Sequence, residues 1–257
     1  MTDSDKPKKS SKVNGSSDPT RRRPRGTATT DLVFSAHVAG NSNVFAQILK
    51  LHVAQGSLIA DVTYGRGAFW ADVPESEYRL LATDLKTGVD CTRLPYADAS
   101  LDALVLDPPY MEGLFRRNEG QLAGGGSHSA FRDHYSDGRA QVDKDGPKYH
   151  DAVLDLYFRA ADEAFRVLKP YGAFIVKCQD EVSANRQRLT HVELINAWQD
   201  RFYCKDLFVV VRENRPGVSR LLQQQHARKN HSYFLVFTRL DPLRPKRLYP
   251  PAKKKAK

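Results

Sequence analysis

Asp107-Pro108-Pro109-Tyr110 places a carboxylate, two rigid imide units and an aromatic ring directly after the apolar run Leu104-Val-Leu106. That set suits an amine that is hard to alkylate. The exocyclic nitrogen of an aromatic base is a poor nucleophile because its lone pair is delocalised into the ring. Two acceptors set against its two N–H bonds would draw the nitrogen toward tetrahedral geometry and expose the lone pair. The Asp107 side chain can supply one acceptor and the Pro108 carbonyl the other, held in place by proline's fixed φ. Pro109 keeps the turn rigid and removes a further donor. Tyr110 can stack on the base, a contact worth roughly 1–3 kcal/mol in single-strand binders. The chemistry is orientation and electrostatic preorganisation, with no strong general base required.

A second group lies upstream, in Asp61-Val-Thr-Tyr-Gly-Arg-Gly67. Gly65 and Gly67 permit a tight turn and let the backbone approach a ligand. The third glycine of a dinucleotide fingerprint is missing, because Trp70 stands there, and no Gly-Lys-Ser/Thr follows to make a P-loop. Asp61 beside this turn would repel a pyrophosphate yet suit a ligand with an ammonium group. Asp84, closing Arg79-Leu-Leu-Ala-Thr-Asp84, can accept hydrogen bonds from both hydroxyls of a ribose. An amino-acid end joined to a ribose describes S-adenosylmethionine.

These groups need strands to hold them. Short apolar runs at 57–62, 79–84, 101–106, 173–178, 206–211 and 233–238 have strand length. Helical spacing appears over 43–52, with Asn41, Ser42 and Asn43 as candidate caps, again over 152–168, and a further helix is expected over 191–200. Pro170 and Gly172 stop the second helix. The alternation predicts an α/β fold, doubly wound, whose mostly parallel seven-stranded sheet ends in a C-terminal antiparallel hairpin. Ligands of such sheets sit beyond the carboxyl ends of the strands, which brings Asp61, Asp84 and Asp107 to one rim. Residues 111–150, with Gly124-Gly-Gly126 and few aliphatic side chains, read as a long mobile loop.

The 257 residues suit one domain, expected over 31–240 and flanked by disordered basic tails at 1–30 and 241–257. The tails carry about +5 and +6 of the formal net charge of +10, so the body is nearly neutral. Flexible basic arms suit a phosphate backbone, and they also serve as plain solubilising termini. Cys91, Cys178 and Cys204 have no CxxC spacing, and the eight histidines no HExxH pair, so no metal is expected. Neither a membrane-spanning run nor a signal peptide is read, which points to the cytoplasm.

Asp107-Pro-Pro-Tyr110 resembles the (D/N/S)PP(Y/F/W) motif of the amino-methyltransferases, which methylate exocyclic nitrogens of adenine, cytosine or guanine. Asp61 to Gly67 is similar to that family's cofactor loop, D-P-F-x-G-S-G, and Asp84 falls at its ribose-binding acid. Asp90 and Cys91 precede Leu94-Pro95 as in the segment beside the cofactor's adenine. Phe165-Arg-Val-Leu-Lys-Pro-Tyr-Gly172 resembles the "LKPGG" passage before the fifth strand of class I methyltransferases. In this chain Val62 and Thr63 replace Pro-Phe, Arg66 replaces a small residue and Tyr171 a glycine.

The resemblance covers residues 31–240. It implies a Rossmann-like class I fold, S-adenosyl-L-methionine as cofactor, and catalytic roles for Asp107, Pro108, Pro109 and Tyr110. Cofactor contacts are implied for Asp61, Thr63, Tyr64, Gly65, Gly67, Asp84, Asp90 and Cys91. The partner is then nucleic acid, with adenine N6 in DNA the first substrate. An RNA base (adenine N6 or guanine N2), cytosine N4 in DNA, and a binding subunit without turnover are the alternatives. Sequence reading would fall to Arg116, Arg117, Arg132, His134 and Tyr135 in the loop and to the polar stretch 212–232. Lys177 and Cys178 either border the target pocket or merely end their strand.

Overall fold

A computed structural model describes residues 32–112, 131, 134–135, 146–212, 223–244 and 248. Residues 33–257 group as one unit, which holds every element named below. In chain order these are β1 (Ala36–Val38), α1 (Asn41–His52), β2 (Leu58–Asp61), β3 (Arg79–Ala82), β4 (Leu101–Leu106) and α2 (His150–Val167). Then follow β5 (Leu168–Cys178), β6 (Glu181–Ser183), β7 (Arg186–Arg188), α3 (Thr190–Trp198), β8 (Phe202–Val211) and β9 (His231–Arg239). Short 3-10 turns at Ala68–Asp72 and Leu85–Thr87 flank β3.

Seven strands pair in the order β1-β8-β9-β5-β4-β2-β3. β9 runs antiparallel to both β5 and β8, while the other pairs are parallel. The expected sheet and its closing hairpin are therefore present. Its seventh strand is β1, three residues at the edge beside β8, too short to show any periodicity in the sequence. The β6–β7 hairpin gives no sign in the sequence either. It turns on Ala184 and Asn185, at φ +48° and +62°, a two-residue left-handed turn that alanine does not advertise.

Strand alternation explains why both faces are covered. Leu104, Leu106, Phe174 and Val176 face α2 and α3, against Leu156, Tyr157, Ala160 and Trp198. Ala103, Val105 and Ile175 point the other way, toward Val44, Phe45 and Ile48 of α1. The apolar positions of α2, at 153, 156, 157, 160 and 164, recur at helical spacing and bury one stripe. Each fully buried aliphatic side chain contributes about 1.5–3 kcal/mol relative to exposure. Together they fix the height of the β4 end, and with it Asp107.

β5 begins at Leu168, directly after α2, five residues before the expected start. Its pairing with β4 is irregular there, since Leu101 faces Leu168 but Ala103 faces Ala173. Gly172 is required in this bulge, because a Cβ would lie 2.9 Å from the Lys169 carbonyl oxygen and 3.1 Å from that of Asp102. Tyr171 adopts φ +67°, a left-handed conformation that disfavours a side chain. We expect Tyr171→Gly to stabilise the protein by about 1 kcal/mol, seen as a higher urea midpoint. A lower midpoint would mean that the Tyr171 ring, whose hydroxyl lies 3.5 Å from Asp241 Oδ2, outweighs the backbone penalty.

The tail 1–30, most of 241–257, and Arg116, Arg117 and Arg132 of the expected loop lie outside the described residues, as do 213–222 of the polar stretch. Within 111–150, however, Phe131 is fully buried, 5.5 Å from the Tyr135 ring. The Tyr135 carbonyl accepts a hydrogen bond from Arg159 of α2 at 2.9 Å. Part of that stretch is therefore docked on the core, through two aromatic residues four apart that the surrounding polar sequence obscured.

Candidate active site

The registers place Asp61 beside Val105 and Ala82, and Leu106 beside Val176. The next residues, Asp107 just past β4 and Lys177 still paired with Phe234 of β9, therefore lie at one rim with Asp61 and Asp84. Gly65 and Gly67 take φ +56° and +70°, and a side chain on Gly67 would run into the ring of Tyr64. The turn is pinned to the next strand end. Gly65 N donates to Asp84 Oδ2 at 3.1 Å, and Lys86 N donates to Asp84 Oδ1 at 2.8 Å. Thr87 closes a capping box on Asp84, which fixes the carboxylate's direction.

Asp61 is 3 % exposed. Its Oδ1 accepts from Thr63 N at 3.0 Å and its Oδ2 from Trp70 Nε1 at 2.8 Å. The tryptophan that breaks the glycine fingerprint is thus a donor to the acid. Burial pushes the Asp61 carboxyl up to about 7, the Trp70 and Thr63 hydrogen bonds oppose that rise, and the charge of Asp107 adds to it. The acid that the sequence suggested for an ammonium group also braces the turn, through Thr63 and Trp70. Asp90 is exposed and accepts from Thr92 N and Oγ1, both at 2.8 Å, so it organises its own turn. Cys91 points into the core, where burial pushes its thiol up to about 12.

Thr63 joins the two motifs. Its Oγ1 accepts from Asp107 N at 2.6 Å, so the glycine turn and the acid after β4 are held by one hydroxyl. Pro108, Pro109 and Tyr110 are buried, and the Tyr110 hydroxyl donates to Asp107 Oδ1. That bond orients the carboxylate from within its own turn. Tyr157 of α2 lies beneath, donating to the Lys177 carbonyl at 2.8 Å. The sequence flagged Thr63 for the cofactor; a hydroxyl where the family loop has phenylalanine was the available sign of this bridge. Thr63→Val should leave Asp107 N without a buried partner and destabilise by about 1–3 kcal/mol. Thr63→Ser should restore most of that in a denaturation curve, and equal losses for both would contradict the bridge.

The family model described as DNA methylase matches residues 101–256, which include the Asp107 turn and the sheet from β4 to β9. The chain belongs to this N6/N4 DNA methylase family, and its methyl donor is S-adenosylmethionine. No curated protein matches it. Among solved structures it is similar to TrmN from Thermus thermophilus, at 14 % identity and TM-score 0.42, over 77 % of this chain and 48 % of that one. PvuII DNA methyltransferase (cytosine-N4-specific) matches at 14 % identity and TM-score 0.35, over 58 % and 46 %. TTHA0409, a putative DNA modification methylase from Thermus thermophilus complexed with S-adenosyl-L-methionine, matches at 17 % identity and TM-score 0.35, over 64 % and 57 %. The chain thus spans about half the length of the first two.

The rim residues fit this cofactor. Asp84 is partly exposed, and each of its oxygens accepts one backbone N–H, leaving acceptor capacity for two ribose hydroxyls. Gly65 beside it is exposed, so the turn offers bare backbone. When bound, the cofactor supplies an electrophilic methyl carbon on a sulfonium. Among the described residues no group of His, Cys, Asp and Glu could hold a metal ion, and no helix is long and apolar enough to cross a membrane.

Proposed function

We propose that this chain methylates the exocyclic amino group of a base in DNA, with adenine N6 the first substrate. One observation carries the reading: Asp107-Pro108-Pro109-Tyr110 closes β4 and is tied through Thr63 to the glycine turn beside Asp84. An amine gripped at Asp107 therefore lies next to the turn that fits the methyl donor. In this reading the Asp107 carboxylate and the Pro108 carbonyl accept the two N–H bonds and direct the nitrogen lone pair outward. Tyr110 holds Asp107 through its hydroxyl and stacks its ring on the base. A target in duplex DNA must be extruded first, at a cost of a few kcal/mol. Basic residues at 1–30 and 241–257 supply attraction to the phosphate backbone without sequence preference.

The test is transfer of tritiated methyl from S-adenosylmethionine to purified DNA and, separately, to RNA. Label in DNA supports the reading. Label confined to RNA would move the substrate, and donor binding without label in either would leave a nucleic-acid-binding subunit. Cytosine N4 presents the same pair of N–H bonds, so the labelled nucleoside decides between the two bases.

A further inference from the structure

We infer that Lys177 is a positioning residue for the Asp107 carboxylate, keeping it ionised from behind while latching the start of α1 to the end of β5. This rests on the role given to Asp107 above. Lys177 is 1 % exposed. It shares the α1 face of β5 with Ala173 and Ile175, and Asp107 follows Ala103 and Val105 on the same face of β4. Its Nζ donates to Asn41 Oδ1 at 2.9 Å and sits 3.8 Å above the Phe234 ring. Among the described residues no carboxylate lies within ion-pairing distance of it. A buried ammonium held by an amide and a ring is costly, and an apolar side chain would fill the same space more favourably. Cations kept at such a cost cluster at functional sites.

The nearby charges give that cation a task. Asp61 on β2, Cys178 on β5 and Tyr157 on α2 all lie within reach of the Asp107 charge, and none of them favours a second negative charge. The charge of Arg212, after β8, also reaches Lys177, and the Arg212 Nη2 donates to Gln179 Oε1 at 3.0 Å. Lys177 is the cation placed on the neighbouring strand end of Asp107. Burial lowers its own pKa to about 8, and the charge of Asp107 opposes that fall. Lys177 therefore keeps its positive charge near neutrality, beside the strand end that carries Asp107. An ionised Asp107 is acceptor-only, which gripping an amine requires.

The test compares Lys177→Met, Lys177→Gln and Lys177→Arg in the full chain. The first removes charge and hydrogen bond, the second keeps a donor for Asn41 without charge, and the third keeps the charge. Carboxyl-13C NMR of aspartate-labelled protein, with the Asp107 signal assigned through Asp107→Asn, reads the ionisation directly. The Asp107 midpoint should rise by about one pH unit in the Met and Gln variants and stay near the wild-type value in Arg. The acid limb of the turnover profile should move up with it, a loss of about tenfold on the acid side that recovers at high pH. An unmoved midpoint in Met and Gln overturns the inference, whether or not methyl transfer is found. A moved midpoint in a protein that transfers no methyl would support it while counting against the proposed substrate alone.

Discussion

Asp107→Ala should lower methyl transfer by about 10³-fold while leaving the affinity for S-adenosylmethionine within about threefold. The separation follows from how the residue is held. Its backbone N–H, not its side chain, makes the bond to Thr63, so alanine keeps the bridge to the glycine turn. Asp84, Gly65 and Asp61 are fixed by their own partners and keep their places. The variant loses the carboxylate acceptor and leaves the Tyr110 hydroxyl without that partner. Asp107→Asn retains one carbonyl acceptor and should fall between wild type and alanine. Single-turnover rates and calorimetric donor affinities check both statements. A parallel loss of donor binding would show that Asp107 belongs to the cofactor site, and full activity would remove it from the reaction.

Asp61 should make stability fall as pH rises, the reverse of an ordinary ion-paired carboxylate. Its carboxyl is raised from 3.8 to about 7 in the folded chain, chiefly by burial. Between those values the folded state binds a proton that the unfolded state has released. The stabilisation is therefore complete below the unfolded pKa and is lost as pH climbs toward 7. Each unit is worth about 1.4 kcal/mol, so roughly 3 kcal/mol should disappear between pH 5 and 8. Asp61→Asn cannot titrate, so its stability relative to wild type should improve by that amount over the same interval. Urea unfolding of both proteins at pH 5 and 8 measures the difference. Parallel curves would show that Trp70 and Thr63 solvate the carboxylate well enough to keep it ionised throughout.

The acid-ended strands were legible because each is a short, mostly apolar run with a carboxylate at or just past its carboxyl end. Asp61, Asp84 and Asp107 therefore announced the rim. The glycine turn and the Pro-Pro pair were equally visible, since each restricts the backbone in a way few other residues can. What stayed hidden depends on contacts between distant residues. Nothing local shows that Trp70 reaches back to Asp61, or that Thr63 accepts from Asp107 forty-four residues away. β1, β6 and β7 have three residues each, and pairing, not pattern, makes them strands. Tyr171 and Ala184 occupy left-handed positions that a glycine would have advertised. Lys177 showed as a strand-ending lysine; its burial and its Asn41 partner depend on how α1 crosses the sheet.

The proposed reaction converges on one nitrogen, which Asp107 and Pro108 would relieve of its conjugation with a base. Mass analysis of nucleosides from DNA incubated with the protein and isotopically labelled methyl donor identifies the atom that is alkylated. The label is expected on an exocyclic amine, as N6-methyladenine. A methyl group on a ring carbon, as in 5-methylcytosine, or on a ring nitrogen would contradict the amine grip, whatever rate accompanied it.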